Sequence, residues 1–515
     1  MHMPFSINSI SKKNSSNLLI NLGLLLVGLA MATSAMSATV AQRDEFYWLS
    51  EINKATAVIN TAEGLLDKNL VGKITSGIQK VIDDGAKPGS KRPNSVISYE
   101  PLLIDAAGAE VTLLHAGRSS QDMHATFRSA MLRDDLLELA KQLNITVQSM
   151  ISLAEKNTKT IVPNYTNGIA AQPNSYAHYL LGYTAGFERD AHRIREAYAR
   201  VDRSSMGTTV LNGTPWPLNR EKMADFLGFS NIVDNAYDAS QISSVDEPVE
   251  VGQVITSIAL HTGSFIEDIM SQYSQTRPWI LLAEGNNNTY VSSAMPQKKN
   301  PGLLINTRAD ASTAISMAFA TLFRAHNLAA GMVDAKDSRQ NKEMVQSAIR
   351  FLKGLDKILN ALVISPERAL EELNNDWTAS QEIADVLMHT YKVPFRVGHH
   401  FASALVDYGK KYNIPPLAFP YDQAQKIYRT TVAEFKLADI FPMSEEEFRS
   451  SLNPISIVNN RKTRGGSQPS EISRMMQLAK KHVDDQSEWI NIKAKKIDTS
   501  LGNLDKEFDN LRLQH

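Results

Sequence analysis

The sequence predicts a nearly all-α fold, and three observations predict it. Apolar residues recur at three- and four-residue spacing, with charges between them, in INKATAVINTAEGLLDKNLVGKITSGIQKVIDD, DDLLELAKQLNITVQSMISLAEKN and SYAHYLLGYTAGFERDAHRIREAYARVD. Period-two alternation is scarce along the 515 residues. The stretch from 302 to 363 has no internal Pro and many Ala, Ile, Leu and Met. VGQVITSIALHTGSFIEDIMSQY and LLINTRADASTAISMAFATLF are apolar on more than one side, which suits the middle of a bundle or an oligomer.

Taken in order, the chain opens on Lys12 and Lys13, an apolar run from Leu18 to Ala32 and the small residues TSAMSA. That pattern predicts a cleaved secretory signal over residues 1–38 and a periplasmic or otherwise secreted mature protein, with no membrane attachment afterwards. A polar part containing Pro and Gly follows as an N-terminal domain, 39–120. A helical middle, 121–363, contains a loop at 284–301. A C-terminal helical domain, 364–515, opens at SPERALEELNNDW. The hydrophobic fraction of 43%, the charged fraction of 21% and the net charge of −1 give no footprint for nucleic acid or an anionic membrane surface. The absence of cysteine excludes disulfides, thiolate metal sites and a Cys nucleophile. No HxxxH or His/Asp/Glu cluster points to a metal, and no metal or organic cofactor is expected.

Three islands in the helical background carry chemical groups. LHAGRSSQDM (114–123) gathers Arg118, Ser119, Ser120 and Gln121 at a helix entry, the pattern of a carboxylate or phosphate site and equally of a plain N-cap. PNYTNGIAAQP (163–173) reads as a Pro-bounded loop with Tyr165, Thr166, Asn167 and Gln172. YVSSAMPQKKNPG (290–302) follows the Gly- and Asn-rich GNNNTY, and sets Ser292 and Ser293 near Lys298 and Lys299. Of these two lysines, Lys299 reads as solvated or structural. His399 and His400 read as ordinary helix residues, Trp216 as core packing, and Arg461, Lys462 and Arg464 as a solvated loop.

VSSAMPQKKNP resembles the signature loop of the fumarase/aspartase superfamily, in which Ser-Ser-x-Met-Pro-x-Lys-x-Asn-Pro closes over the substrate. LHAGRSSQDM is similar to the family's first shared region and YTNGIAAQP to its second. NGTPWPLNREKMADFLGF, DWTASQEIADVLMHTYKVPFRVGHH and NRKTRGGSQP resemble the argininosuccinate lyase branch in order and spacing. The likeness runs from about residue 45 to about 480, and five collinear stretches support the loop.

The resemblance implies an all-α, three-domain fold with a long central helical bundle. It also implies a homotetramer whose active sites are shared between subunits, acting on a small dicarboxylate. Such enzymes eliminate an amine or oxygen from a succinyl group and release fumarate. By match to the motifs, Ser292 would be the general base, and Lys298 and Asn300 would hold the β-carboxylate. Ser119, Gln121, Thr166, Asn167, Ser293, Met295 and Lys342 would bind substrate, and GNNNTY suits a lid that opens and closes.

The chain departs from the family pattern at several positions. Val291 stands where most members have Gly, and Ser119-Ser120-Gln121 stands for Ser-Arg-Asn. Thr166-Asn167-Gly168-Ile169 replaces Thr-His-x-Gln, and Ile305 takes the place of the Glu that pairs with the missing His. Asp334 and Arg339 fall where the branch usually has Tyr and Gln. The resulting expectation is a secreted carbon–nitrogen lyase that splits an N-substituted aspartate or related amino-dicarboxylate into fumarate and an amine, or runs the reverse addition. A carboxymuconate-type cycloisomerase of the same superfamily is the second reading. A non-catalytic binding or structural homologue is the third.

Overall fold

The computed structural model describes residues 43–514. The expected signal peptide lies outside the described residues. The chain divides into two compact units. One comprises the described residues up to Phe127, Ser205–Leu227 and the described residues from Leu501; the other comprises Arg128–Ser204 and Gly228–Ser500.

In the first unit, α1 (Glu45–Ala62) is capped by Asp44, whose side chain accepts from the Tyr47 amide. Its buried residues include Trp48, Leu49 and Ile52, and also Glu51, Asn53 and Lys54. Lys54 keeps its charge despite burial because its Nζ lies 2.8 Å from Glu51 and 2.6 Å from Asp505. Helices α2 (Lys68–Ala86) and α3 (Val96–Ala107) pack beside it, and α3 leads through a short 3₁₀ turn into the first of the three islands.

Helix α4 (Ser120–Lys156) starts immediately after that island. In the second unit its remaining length is joined by α5 (Tyr176–Val201). After α6 (Arg220–Phe226), a member of the first unit, come α7 (Ser243–Gln272), α8 (Gly302–Ala325) and α9 (Ser338–Ala361). Helix α7 packs on α5 and α8, and α8 packs on α9. Gly252 permits the close approach of α7 to α8, since a Cβ there would lie 3.2 Å from Ala318 Cα.

Among the described residues, four small two-stranded pairings interrupt the helices. Strand β1 (Ile161–Thr166) pairs antiparallel with β2 (Ile169–Ser175). Two-residue strands at Arg203–Ser204 and Asn231–Ile232 run parallel. Ile280–Leu282 pairs with Leu362–Ile364, and Tyr290–Val291 pairs with Lys299–Asn300. The C-terminal helices α10 (Pro366–Asn375), α11 (Ser380–Tyr391), α12 (Phe395–Tyr412), α13 (Tyr421–Glu434), α14 (Glu445–Leu452) and α15 (Pro454–Asn459) follow. Most of them surround a core that includes Trp377, Phe401, Phe419, Tyr428, Phe441 and Phe448. The long α16 (Pro469–Gln514) ends the described chain.

Three expectations are corrected here. PNYTNGIAAQP is the body of a hairpin, with Asn167 (φ 54°) and Gly168 (φ 77°) forming the turn between β1 and β2. Trp216 is 46% exposed, since it sits in a Pro-flanked loop rather than on a helix face. Arg461 is not freely solvated: it pairs at 2.6 Å with Glu382, a side chain only 9% exposed whose charge requires a cation. Lys299 is partnered loosely by Glu284 at 3.5 Å, and His399 and His400 lie in α12 as expected.

Burial lifts the Glu247 carboxyl to about 8, Asp135 to about 8 and Glu51 to about 7. The folded state therefore holds protons that an unfolded chain releases near pH 4–5. Stability from these groups is full below that range and is lost as pH rises toward 8. The urea midpoint is expected to fall between pH 5 and 8, and Glu247→Gln, neutral throughout, should flatten part of that fall.

Candidate active site

The signature hairpin is built by local backbone bonds. Gly285, Asn286 and Asn287 have φ of 84°, 51° and 63°, a left-handed run that Gly and Asn adopt most readily. Asn288 Nδ2 then donates to Ala283 O at 3.1 Å, and the Leu303 amide donates to Asn288 O at 3.0 Å, tying the two ends of the loop. The Ser292 amide donates to Lys298 O at 3.1 Å, and the Lys298 amide donates to Met295 O at 3.0 Å. The Ser292 hydroxyl oxygen accepts from the amides of Ala294 and Met295, at 3.4 and 3.3 Å. Two N–H dipoles aimed at one oxygen favour negative charge there. Asn300 Nδ2 donates to Tyr290 O at 3.4 Å. Lys298 is exposed and makes no ion pair among the described residues, unlike Lys299.

Ser119 stands at the entry to α4. Its hydroxyl accepts from the Gln121 amide at 3.0 Å, while its own amide donates to Asp122 Oδ1 at 2.8 Å. Ser119 thus caps the helix through the N2 amide while Asp122 at N3 reaches back to the cap, so the N-cap reading of LHAGRSSQDM is realised. Asp122 is fully buried and also accepts from the amides of Gly207 and Thr209, at 2.9 and 3.1 Å. Sequence reasoning passed over Asp122, although Ser-x-x-Asp before an apolar run is the signal that would have found it. Arg118 does not reach outward for an anion. It is buried, donates to Asn53 and Thr56, and burial lowers its guanidinium to about 10.

Thr166 and Asn167 are exposed at the tip of the β1–β2 hairpin, and Lys342 is exposed in the first turns of α9. The Lys342 charge acts on buried Asp135, opposing the burial that lifts that carboxyl. Thus Ser292, Ser293, Met295, Lys298 and Asn300 share one hairpin. Among the described residues no hydrogen bond joins that hairpin to Thr166, Asn167 or Lys342. Ser119 and Gln121 belong to the other compact unit. Among the described residues there is also no group of three or more His, Asp or Glu able to hold a metal ion.

A family model described as Lyase matches residues 29–315, more than half of the chain. The chain belongs to the fumarase/aspartase superfamily, on its argininosuccinate lyase-like branch. It is a carbon–nitrogen lyase that forms fumarate. Among its relatives, the argininosuccinate lyase of Methanosarcina acetivorans is 27% identical over 471 residues, covering 89% of this chain and 90% of that protein. The argininosuccinate lyase of Geobacillus sp. (strain WCH70) is 30% identical over 436 residues, covering 82% and 89%. A crystal structure of EDDS lyase in complex with formate shares the fold, with a TM-score of 0.82 at 22% identity over 91% of this chain and 92% of that one.

Val291 lies in the short pairing with Lys299 that closes the signature hairpin, where a Gly would leave the pairing looser. Asn167 occupies a left-handed corner of the hairpin turn, and Ile305 is 36% exposed on α8.

Asp122→Ala would leave the amides of Ser119, Gly207 and Thr209 without their acceptor. The expected cost is about 3 kcal/mol or more, at roughly 1–3 kcal/mol per orphaned buried donor. A urea-unfolding midpoint checks it, with Asp122→Asn as the milder change.

Proposed function

We propose that this lyase eliminates an amine from an N-substituted aspartate or related amino-dicarboxylate, or adds the amine to fumarate in reverse. The observation that carries the reading is the signature hairpin, which places the Ser292 hydroxyl, the Lys298 ammonium and the Asn300 amide on one short loop. The names of its relatives, argininosuccinate lyase and EDDS lyase, support an amine as the group that leaves.

In the proposed reaction Ser292 Oγ takes the proton from the carbon next to the β-carboxylate. The amides of Ala294 and Met295 favour the charge that Oγ must carry to act as the base. Lys298 and Asn300 bind the β-carboxylate and stabilise the extra negative charge that accumulates on it as the proton leaves. The C–N bond then breaks, its electron pair departs with nitrogen, and fumarate remains. Ser119, Gln121, Thr166, Asn167, Ser293, Met295 and Lys342 bind the rest of the substrate. With Asn167 and Ile305 in place of the family's His and Glu, the proton for the leaving nitrogen comes from another group. Asp334 and Arg339 favour an amine other than arginine, because the Tyr and Gln usual in the branch are absent.

The reading includes a homotetramer with shared sites. Leu260, Phe319, Leu322 and Phe323 are 61%, 43%, 41% and 75% exposed in the single chain, an apolar surface that packing of α7 and α8 between subunits would cover. It also includes export of the mature chain, on the strength of the N-terminal sequence pattern.

The test is a screen of the mature protein against N-substituted aspartates and fumarate–amine mixtures, following the absorbance of the fumarate double bond. Fumarate should appear or vanish with one amine partner; silence across the panel from a folded tetramer would overturn the reading. With that substrate in hand, Ser292→Ala is expected to lower kcat by about 10²–10⁴-fold with the fold unchanged. Unchanged turnover would remove Ser292 as the base.

A further inference from the structure

Behind the β1–β2 hairpin lies a cavity of about 300 Å³, within the size range of small-molecule sites. Its lining includes Tyr165, Thr166, Tyr176, Tyr179, Asp268 and Trp279, and no residue of the signature hairpin. The Tyr176 and Tyr179 rings are stacked, 5.6 Å apart with 13° between planes. Trp279 meets Tyr176 edge-on, with centroids 5.7 Å apart. Tyr165 is fixed by accepting from Trp279 Nε1 at 3.0 Å and donating to Glu372 at 2.5 Å. Asp268 accepts from the hydroxyls of Tyr179 and Tyr183, at 2.7 and 3.2 Å.

Two features of this cavity lack their complement. The Tyr176 hydroxyl has no hydrogen-bond partner although the residue is only 1% exposed, an arrangement that costs about 1–3 kcal/mol unless a ligand or water meets it. Asp268 makes no ion pair among the described residues, and its two tyrosine partners only donate hydrogen bonds. Burial pushes the Tyr165 hydroxyl up to about 12 and that of Tyr179 well above its ordinary value, so both stay neutral at physiological pH. The cavity therefore combines aromatic rings, an exposed carboxylate with no cationic partner among the described residues and a buried hydroxyl with no hydrogen-bond partner. Aromatic rings attract cations through their negative faces, and the carboxylate adds a full charge. The unpartnered hydroxyl can accept a hydrogen bond from an N–H group, which a quaternary ammonium lacks, and can also donate one.

We propose that this cavity binds an organic cation bearing N–H groups, an alkylammonium or a guanidinium. The cation rests against the Tyr176, Tyr179 and Trp279 rings, directs its charge to Asp268 and donates a hydrogen bond to the Tyr176 hydroxyl. This assignment rests on the cavity alone and does not depend on which amine the reaction releases.

Calorimetric titration of the purified protein with n-butylammonium and n-butylguanidinium chlorides tests it, with 1-butanol as the neutral control. At least one cation should bind saturably, at one site per chain, while 1-butanol does not. Asp268→Asn keeps the shape and the acceptor for both tyrosines, and should weaken cation binding by about tenfold. Tyr176→Phe, which deletes only the unpartnered hydroxyl, should weaken it several-fold and provides the same comparison should the first variant unfold. Failure of both cations to bind, equal binding of 1-butanol, or unchanged affinity in both variants would each overturn the proposal.

Discussion

Burial of charge and polarity alongside apolar surface is the constraint on which this fold depends. Helices enclosed on several sides carry ionisable groups inward, and an unpaired ion there costs several kcal/mol. The chain meets the demand locally. In α1, Lys54 lies between Glu51 and Asp505; at the start of α4, Asp122 collects the amides of Ser119, Gly207 and Thr209. Between α5 and α7, fully buried Asp190 accepts from Ser257 and pairs with Arg193 and His261, each at 2.7 Å. These contacts specify which helices lie together, where apolar contact alone would leave register free.

The signature hairpin obeys a different rule. Its residues are mostly exposed, and its shape comes from short-range backbone bonds rather than from packing. Three left-handed residues turn the chain, one two-residue pairing closes it, and the Ser292–Lys298 backbone bond sets hydroxyl and ammonium groups on the same loop. A segment with so few buried contacts can move without disturbing the bundle beneath it. Chemistry that needs water excluded and then readmitted has a use for that separation.

The β1–β2 hairpin shows how one short segment answers several demands. Its Asn-Gly corner satisfies a backbone that needs two positive φ angles, which Asn167 and Gly168 adopt readily. The opposite side of the same hairpin walls a cavity of aromatic rings and one carboxylate. Residues that face the turn and residues that face the cavity therefore serve separate purposes within fifteen residues of chain.

The sequence by itself determined the α character, the family and the residues of the signature loop, because helical periodicity and a collinear set of motifs are local properties of the chain. The Asn-Gly hairpin was also written locally, yet its two flanking prolines made it read as an irregular loop. The partners of Arg118 and Arg461, and the Gly207 and Thr209 amides that meet Asp122, were decided only by tertiary structure. Whether a charged side chain meets solvent, a buried carboxylate or a cluster of amides depends on segments tens of residues away. The same holds for the cavity, where Tyr176 and Trp279 sit more than a hundred residues apart in sequence and meet only when α5 packs against α7.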